Sequence, residues 1–265
     1  MNGKWKRRII ATAATLLLTA GPAPALHAGE EAKPMADLTV AFLSQYIWRG
    51  QELSQNSVVM QPSMTVEYLG FGVNLWGNLD TDTAAEETNN WNETDMTLYY
   101  ATDFGPVGVS GGYIYYALDG LDDSQEVYAR ISLDMLLNPT VTVYREFAHY
   151  PSWYVTAGIS HSIALPMAMS IDLGAQAAYL LSDDEDAYPE IGGRGNPTGE
   201  EYDDFHEGTL SAVLNIPVSG YLTIKPQAYW TFALTGDASD EMEWRSVDGD
   251  DDNFFYGGVS ASLSF

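Results

Sequence analysis

Three histidines follow the first 28 residues, and each invites an acid–base reading. His161 stands between Ser160 and Ser162, His206 follows Asp203 and Asp204, and His149 lies in the loop marked by Pro151. A hydrolase needs a nucleophile, a base and an orienting group at one level and within hydrogen-bond reach. Neighbours in a strand point to opposite faces, so neither Ser160 nor Ser162 can pair directly with His161. His206 with Asp203 or Asp204 is left as an Asp–His arrangement of protease type. Isolated surface histidines explain all three more simply. The chain is therefore read as non-enzymatic, with no catalytic residue and no cofactor; an outer-membrane hydrolase is the third-ranked alternative.

The acids are the more prominent chemistry. Lys plus Arg number 11 against 37 Asp plus Glu. Two stretches, 182–205 and 235–252, hold 17 of those acids. Loops so charged give a negative mouth that concentrates cations and slows anions. The plainer role is solubility, with divalent cations shared with lipopolysaccharide phosphates. Gly249-Asp250-Asp251-Asp252-Asn253 suggests calcium. Counted from Asp248 or Asp250, it lacks the sixth-position glycine and twelfth-position glutamate of an EF-hand loop, so no metal site is assigned. The net charge argues against nucleic acid as a partner.

The elements that position these charges follow from a two-residue rhythm. In Asn253–Phe265, Phe255, Gly257, Val259, Ala261, Leu263 and Phe265 share one face; Tyr256, Gly258, Ser260, Ser262 and Ser264 share the other. Serine and glycine suit a crowded or water-filled lumen, and the apolar set suits lipid. From Asp37 onward about twelve such segments recur, joined alternately by short turns and long loops. The first is expected over Asp37–Trp48, with Arg49–Asn56 as a small loop. This predicts an all-β fold: a transmembrane antiparallel up-and-down β-barrel of about 12 strands spanning 37–265, with both ends on the short-turn side. Closure removes the sticky edges.

The alternation turns Glu67, Asp95, Glu126, Arg130, Glu146, Asp172 and Lys225 inward as lumen-lining candidates, and Arg130, near mid-strand, is the best constriction candidate. Arg145 falls on the outer register and is expected to snorkel near the rim. Pro62 and Pro226 stand mid-strand on the apolar face, which favours bulges there over local gaps in the wall.

The amino end reads as a signal peptide over 1–28: basic Lys4, Lys6, Arg7 and Arg8, an apolar run from Ile9 to Ala20 too short to span a bilayer as a helix, then Ala25-Leu26-His27-Ala28. Its loss takes the formal charge from −26 to −30. Residues 29–36 read as a flexible lead. No cysteine occurs, which leaves neither a lipid-anchored cysteine nor a disulfide framework.

Ser44-Gln45-Tyr46-Ile47-Trp48-Arg49-Gly50 resembles the first-strand signature of the TorF-type porin family of proteobacteria, and Glu126-Val127-Tyr128 resembles a second stretch of it. The resemblance implies an outer-membrane barrel and a porin, with no stated substrate. Phe265 resembles the terminal aromatic signal read by the barrel-assembly machinery. The leading reading is a porin-like channel in the cell outer membrane for small solutes, with a cation preference. Its partners are outer-membrane lipid, lipopolysaccharide, the assembly machinery and small solutes or cations. A closed structural or surface-recognition barrel is the alternative.

Overall fold

The computed structural model describes residues 33–54, 57–82, 90–193, 195–247 and 250–265. The signal peptide expected over 1–28, most of the lead expected over 29–36, and Asp248 and Gly249 of the acidic run lie outside the described residues.

In chain order the strands are β1 (Met35–Leu43), β2 (Ile47–Trp48), β3 (Gln51–Glu52), β4 (Val59–Tyr68), β5 (Phe71–Asp80), β6 (Trp91–Phe104), β7 (Val107–Leu118), β8 (Ser124–Leu133), β9 (Thr140–Glu146), β10 (Ser152–Ala164), β11 (Ser170–Ser182), β12 (Pro189–Gly192), β13 (Asn196–Glu201), β14 (Asp203–Pro217), β15 (Leu222–Ala233) and β16 (Asn253–Ser264). One helix, α1 (Gly236–Arg245), interrupts the loop between β15 and β16. Twelve strands close into an antiparallel barrel, and the pairs β2–β3 and β12–β13 stand apart from it. The seam is the pairing of β1 with β16, from Asp37 opposite Ser264 to Leu43 opposite Gly258.

The two-residue rhythm sorts the wall as the sequence predicts. Leu38, Met64, Leu98, Val127, Leu173 and Val259 are exposed on the outside. Inside, short polar side chains bond across strands: Thr39 Oγ1 lies 2.7 Å from Ser262 Oγ, and Asn74 Nδ2 donates to Ser63 Oγ at 2.8 Å. An apolar outer wall with every backbone edge paired is the condition for a barrel in lipid. This is an outer-membrane type of β-barrel. The short turns use left-handed residues where the strand twist demands them, as at Leu69 (φ 53) and Gly70 (φ 81) between β4 and β5.

Four expectations need correction. The first wall strand ends at Leu43, not Trp48; Ile47 and Trp48 belong to a hairpin outside the barrel ladder. The lead expected over 29–36 overlaps that strand, which already starts at Met35. Counting back in twos from the inward Lys225 turns Tyr221 inward as well, but it is exposed and precedes β15. Finally, the mid-strand prolines make no bulge. Met60 pairs with Leu79 and Ser63 with Trp76, one unbroken register across Pro62. The same holds for Pro226 between Val213–Gln227 and Ile216–Ile224. Each proline faces the next ladder with no N–H to give, so pairing lapses there without shifting, while the ladder on the strand's other side continues. The register shifts within the barrel wall lie elsewhere, between Ala177 and Tyr179 and between Asn78 and Leu79.

Candidate functional site

The mouth on the long-loop side is filled by the protein's own loops. The segment after β1 turns back as the hairpin β2–β3, with Arg49 (φ 45) and Gly50 (φ 76) as its two-residue tip. Both tip residues take the left-handed form that a type I′ hairpin turn needs. Glycine accepts it freely; at arginine it costs about 1 kcal/mol. The hairpin is braced at its base, where Tyr46 N donates to Ser54 Oγ at 2.7 Å and Leu53 N to Tyr46 O at 2.8 Å. Tyr46 also donates its hydroxyl to Glu93 Oε2 on the wall at 2.9 Å.

What the strained tip delivers is the Arg49 guanidinium. Its Nη1 and Nη2 reach Glu126 Oε1 and Oε2 on β8 at 2.7 and 2.9 Å, a two-pronged charge-assisted pair. The Tyr116 hydroxyl from β7 donates to Glu126 Oε2 at 2.7 Å. The cation also lies 4.0 Å from the ring centre of Tyr154, 4.3 Å from that of Trp48 and 5.0 Å from that of Tyr144, all within cation–π range. Burial alone would lower the pKa of this guanidinium, but Glu126 outweighs it and the net shift is upward. Arg49 and Glu126 are both buried. Removing either partner strands the other charge away from water, at a cost of about 3–5 kcal/mol.

A second cluster holds α1 against the hairpin. His206 on β14 sits between two carboxylates, with Nδ1 2.7 Å from Glu207 Oε2 and Nε2 2.9 Å from Glu241 Oε2 on α1. Arg245, one helical turn further, pairs with Glu241 and donates from Nη2 to Ala187 O at 2.6 Å. Tyr154, which stacks on Arg49, also donates to Glu207. The two clusters therefore share a wall residue. Gly50 completes the contact: a Cβ there would stand 3.0 Å from Met242 Sδ and 3.1 Å from His206 Cε1. Glu52 Oε2 accepts from Val247 N at 3.0 Å. Three loops, 44–58, 183–202 and 234–252, are thus tied to one another and to the wall. The helix carries ordinary start and stop signals: Thr235 caps it by accepting from Ala238 N, Asp237 lies in the first turn and Arg245 in the last.

The seven inward candidates fall at different levels of the barrel. Glu126 is the anchor of Arg49. Glu146, directly opposite Glu126 on β9, accepts from Ser124 Oγ and from the amides of Gln125, Ala148, His149 and Tyr150, and so caps the turn after its own strand. Asp95 is buried on the same inner face as Glu93. Glu67 accepts from the Tyr99 hydroxyl at 3.0 Å, and Asp172 from Asn215 Nδ2 at 2.6 Å. Arg130 and Lys225 are half-buried, in the lower half of the barrel. The hairpin adds a buried cation, Arg49, that strand alternation alone does not place. Arg145 lies on the outer register at the rim, paired with Asp183 and 5.0 Å from the Trp153 ring centre. Asp203 accepts from Tyr179 at 2.6 Å and Asp204 from the Phe205 amide, so neither joins His206 in the expected Asp–His arrangement. His161 is exposed and pairs in register with Leu173 on the outer face.

No family model and no curated protein matches the chain. Solved structures do. The KdgM porin superposes with a TM-score of 0.52 at 11% identity, over 86% of this chain and 99% of the porin. The NanC porin gives a TM-score of 0.53 at 11% identity, over 87% and 98%. The chain has the porin fold. These matches do not confirm the TorF-type resemblance, and the Trp48-Arg49-Gly50 residues that carry it form the tip of the mouth hairpin rather than part of a first wall strand.

Proposed function

We propose that this barrel is an outer-membrane channel for small solutes whose mouth is shut, in the conformation described, by its own folded-in loops. The observation that carries the reading is the contrast along the lumen. Below the mouth the inner wall is polar, with short Ser, Thr and Asn side chains set among inward tyrosines such as Tyr99, Tyr128, Tyr229 and Tyr256. At the mouth, loops fill the space, held by ion pairs, hydrogen bonds and two apolar clusters, Tyr46 and Trp48 with Trp76 and Tyr188 and Tyr202 with Tyr154, rather than by pairing with the barrel strands.

A preference for cations is part of the same reading. Its support is the acidic mouth together with the inward acids Glu67, Asp95, Glu126, Glu146 and Asp172, which outnumber Arg130 and Lys225 on the wall. Lipid, lipopolysaccharide bridged through divalent cations, and the barrel-assembly machinery are the proposed partners of the outer surface, the acidic loops and Phe265 respectively. The buried plug favours one competing reading, a barrel closed for good. Folded protein in planar bilayers under a KCl gradient separates the two: discrete steps with a reversal potential on the potassium side support the channel, silence at every voltage supports the closed barrel, and a chloride-side reversal removes the cation preference.

A further inference from the structure

The Arg49 guanidinium is held in the way a protein holds a ligand. Four successive barrel strands contribute one inward residue each: Tyr116 on β7, Glu126 on β8, Tyr144 on β9 and Tyr154 on β10. Together they present a carboxylate and aromatic faces to one point in the lumen, 4.0 and 5.0 Å from the Tyr154 and Tyr144 ring centres, with both carboxylate oxygens engaged. None of the four belongs to a loop. The pocket is therefore part of the rigid wall, and its occupant is part of a hairpin that reaches it only through a strained tip.

From this we infer that the wall pocket of Tyr116, Glu126, Tyr144 and Tyr154 is a binding site for small organic cations of the guanidinium or alkylammonium class, and that Arg49 occupies it as a tethered stand-in. The charge balance of the wall favours the same class. Glu126 and Glu146 face each other directly across β8 and β9, an unfavourable like-charge pair in a sheet. Glu146 is compensated by the amides around it, whereas Glu126 takes its ion pair from Arg49 of the hairpin. With the hairpin withdrawn, Glu126 stands on an acidic wall beside the Tyr116 hydroxyl and the Tyr144 and Tyr154 ring faces. That environment attracts a flat or rounded cation and offers nothing to an anion. Tethering gives Arg49 a high effective concentration, so a free cation competes only when the hairpin lifts. The consequence for transport, that an organic cation loosens the plug as it enters, rests on the channel reading; the binding site itself does not.

The experiment measures binding and conduction separately. Arg49→Ala, folded in detergent and verified by its heat-modifiable migration, is titrated calorimetrically with ethylguanidinium chloride and with its neutral isostere ethylurea. Arg49→Met, which keeps the side-chain length, replaces it if the alanine variant does not fold. The expected result is that ethylguanidinium binds the variant at least about tenfold more tightly than it binds wild type, and at least about tenfold more tightly than ethylurea does. Adding Glu126→Gln to the variant abolishes this binding. Equal binding of the charged and neutral probes, or binding that survives Glu126→Gln, overturns the site. Because the titration needs no current, a positive result with silent bilayers keeps the site and removes the channel, and the reverse result does the opposite.

Discussion

Glu241→Gln tests how the helix is fastened in the mouth. Glu241 is buried on α1 between Arg245 and His206, with Glu207 on the far side of the imidazole. Burial alone would raise its carboxyl pKa; Arg245 and His206 more than reverse that and bring it down to about 2 from an ordinary 4.5. A carboxyl whose pKa is depressed in the folded state adds stability that is fully present above its unfolded pKa. That stability is lost as pH falls toward the folded one. The window here is pH 4.5 down to about 2, and the attachment at neutral pH is worth about 3 kcal/mol, or about a hundredfold in the opening equilibrium. Proteolysis reads that equilibrium when reclosing is faster than cleavage. At pH 7, trypsin should leave Arg245 uncut in wild type and cut it readily in Glu241→Gln. Between pH 5 and 2, pepsin should cleave wild type within 236–245 at a rate that climbs as pH falls, once normalised to the unfolded chain. Equal tryptic rates for the two proteins, or wild-type protection unchanged down to pH 2, would refute the reasoning.

Two further perturbations probe other parts of the account. Gly50→Ala places a Cβ against Met242 and His206 at a residue with φ of 76, so it should loosen α1 by about 1–2 kcal/mol and raise tryptic cleavage at Arg245 without altering the barrel's heat-modifiable migration. Deleting Phe265, whose backbone N donates to Ala36 O at 2.9 Å and whose ring stacks on Tyr221, should lower the yield of folded barrel in membranes several-fold. Barrel already folded in detergent should lose little stability, since the missing residue lies beyond the last strand.

The wall was legible because its signal repeats. Met96, Leu98 and Tyr100 against Asp95, Thr97 and Tyr99, or Val127, Ala129 and Ile131 against Glu126, Tyr128 and Arg130, fix a face by alternation alone, and a slip of one residue would put charge into lipid. The plug was not legible by the same rule, because nothing in it alternates for long. Ile47-Trp48 and Gln51-Glu52 are each two residues of strand, and they look like the continuation of β1. The signal that was available is Arg49-Gly50, a pair suited to a tight hairpin turn once Gly50 is taken as left-handed. The helix hid inside a run of acids that reads as a solvated loop. Thr235 as a cap, Asp237 in the first turn and the Glu241–Arg245 spacing of four mark it. Partnership across loops, such as His206 with Glu241 or Arg49 with Glu126, depends on how separate segments fold back into one space, and no local pattern records that. The prolines show the reverse: Pro62 and Pro226 suggest a bulge by sequence, but a missing N–H on one side of a strand needs no change of register.

The claim that the loops are a removable stopper, rather than a permanent part of the core, is tested most directly by locking them. The chain has no cysteine of its own, so Tyr46→Cys at the base of the hairpin and Glu93→Cys on the wall, whose native side chains meet at 2.9 Å, can be joined by a short bifunctional thiol reagent that a reductant cleaves. Single-channel current should be absent while the bridge holds the hairpin to the wall, and steps should appear when the bridge is cut. Identical current with and without the bridge would contradict the account.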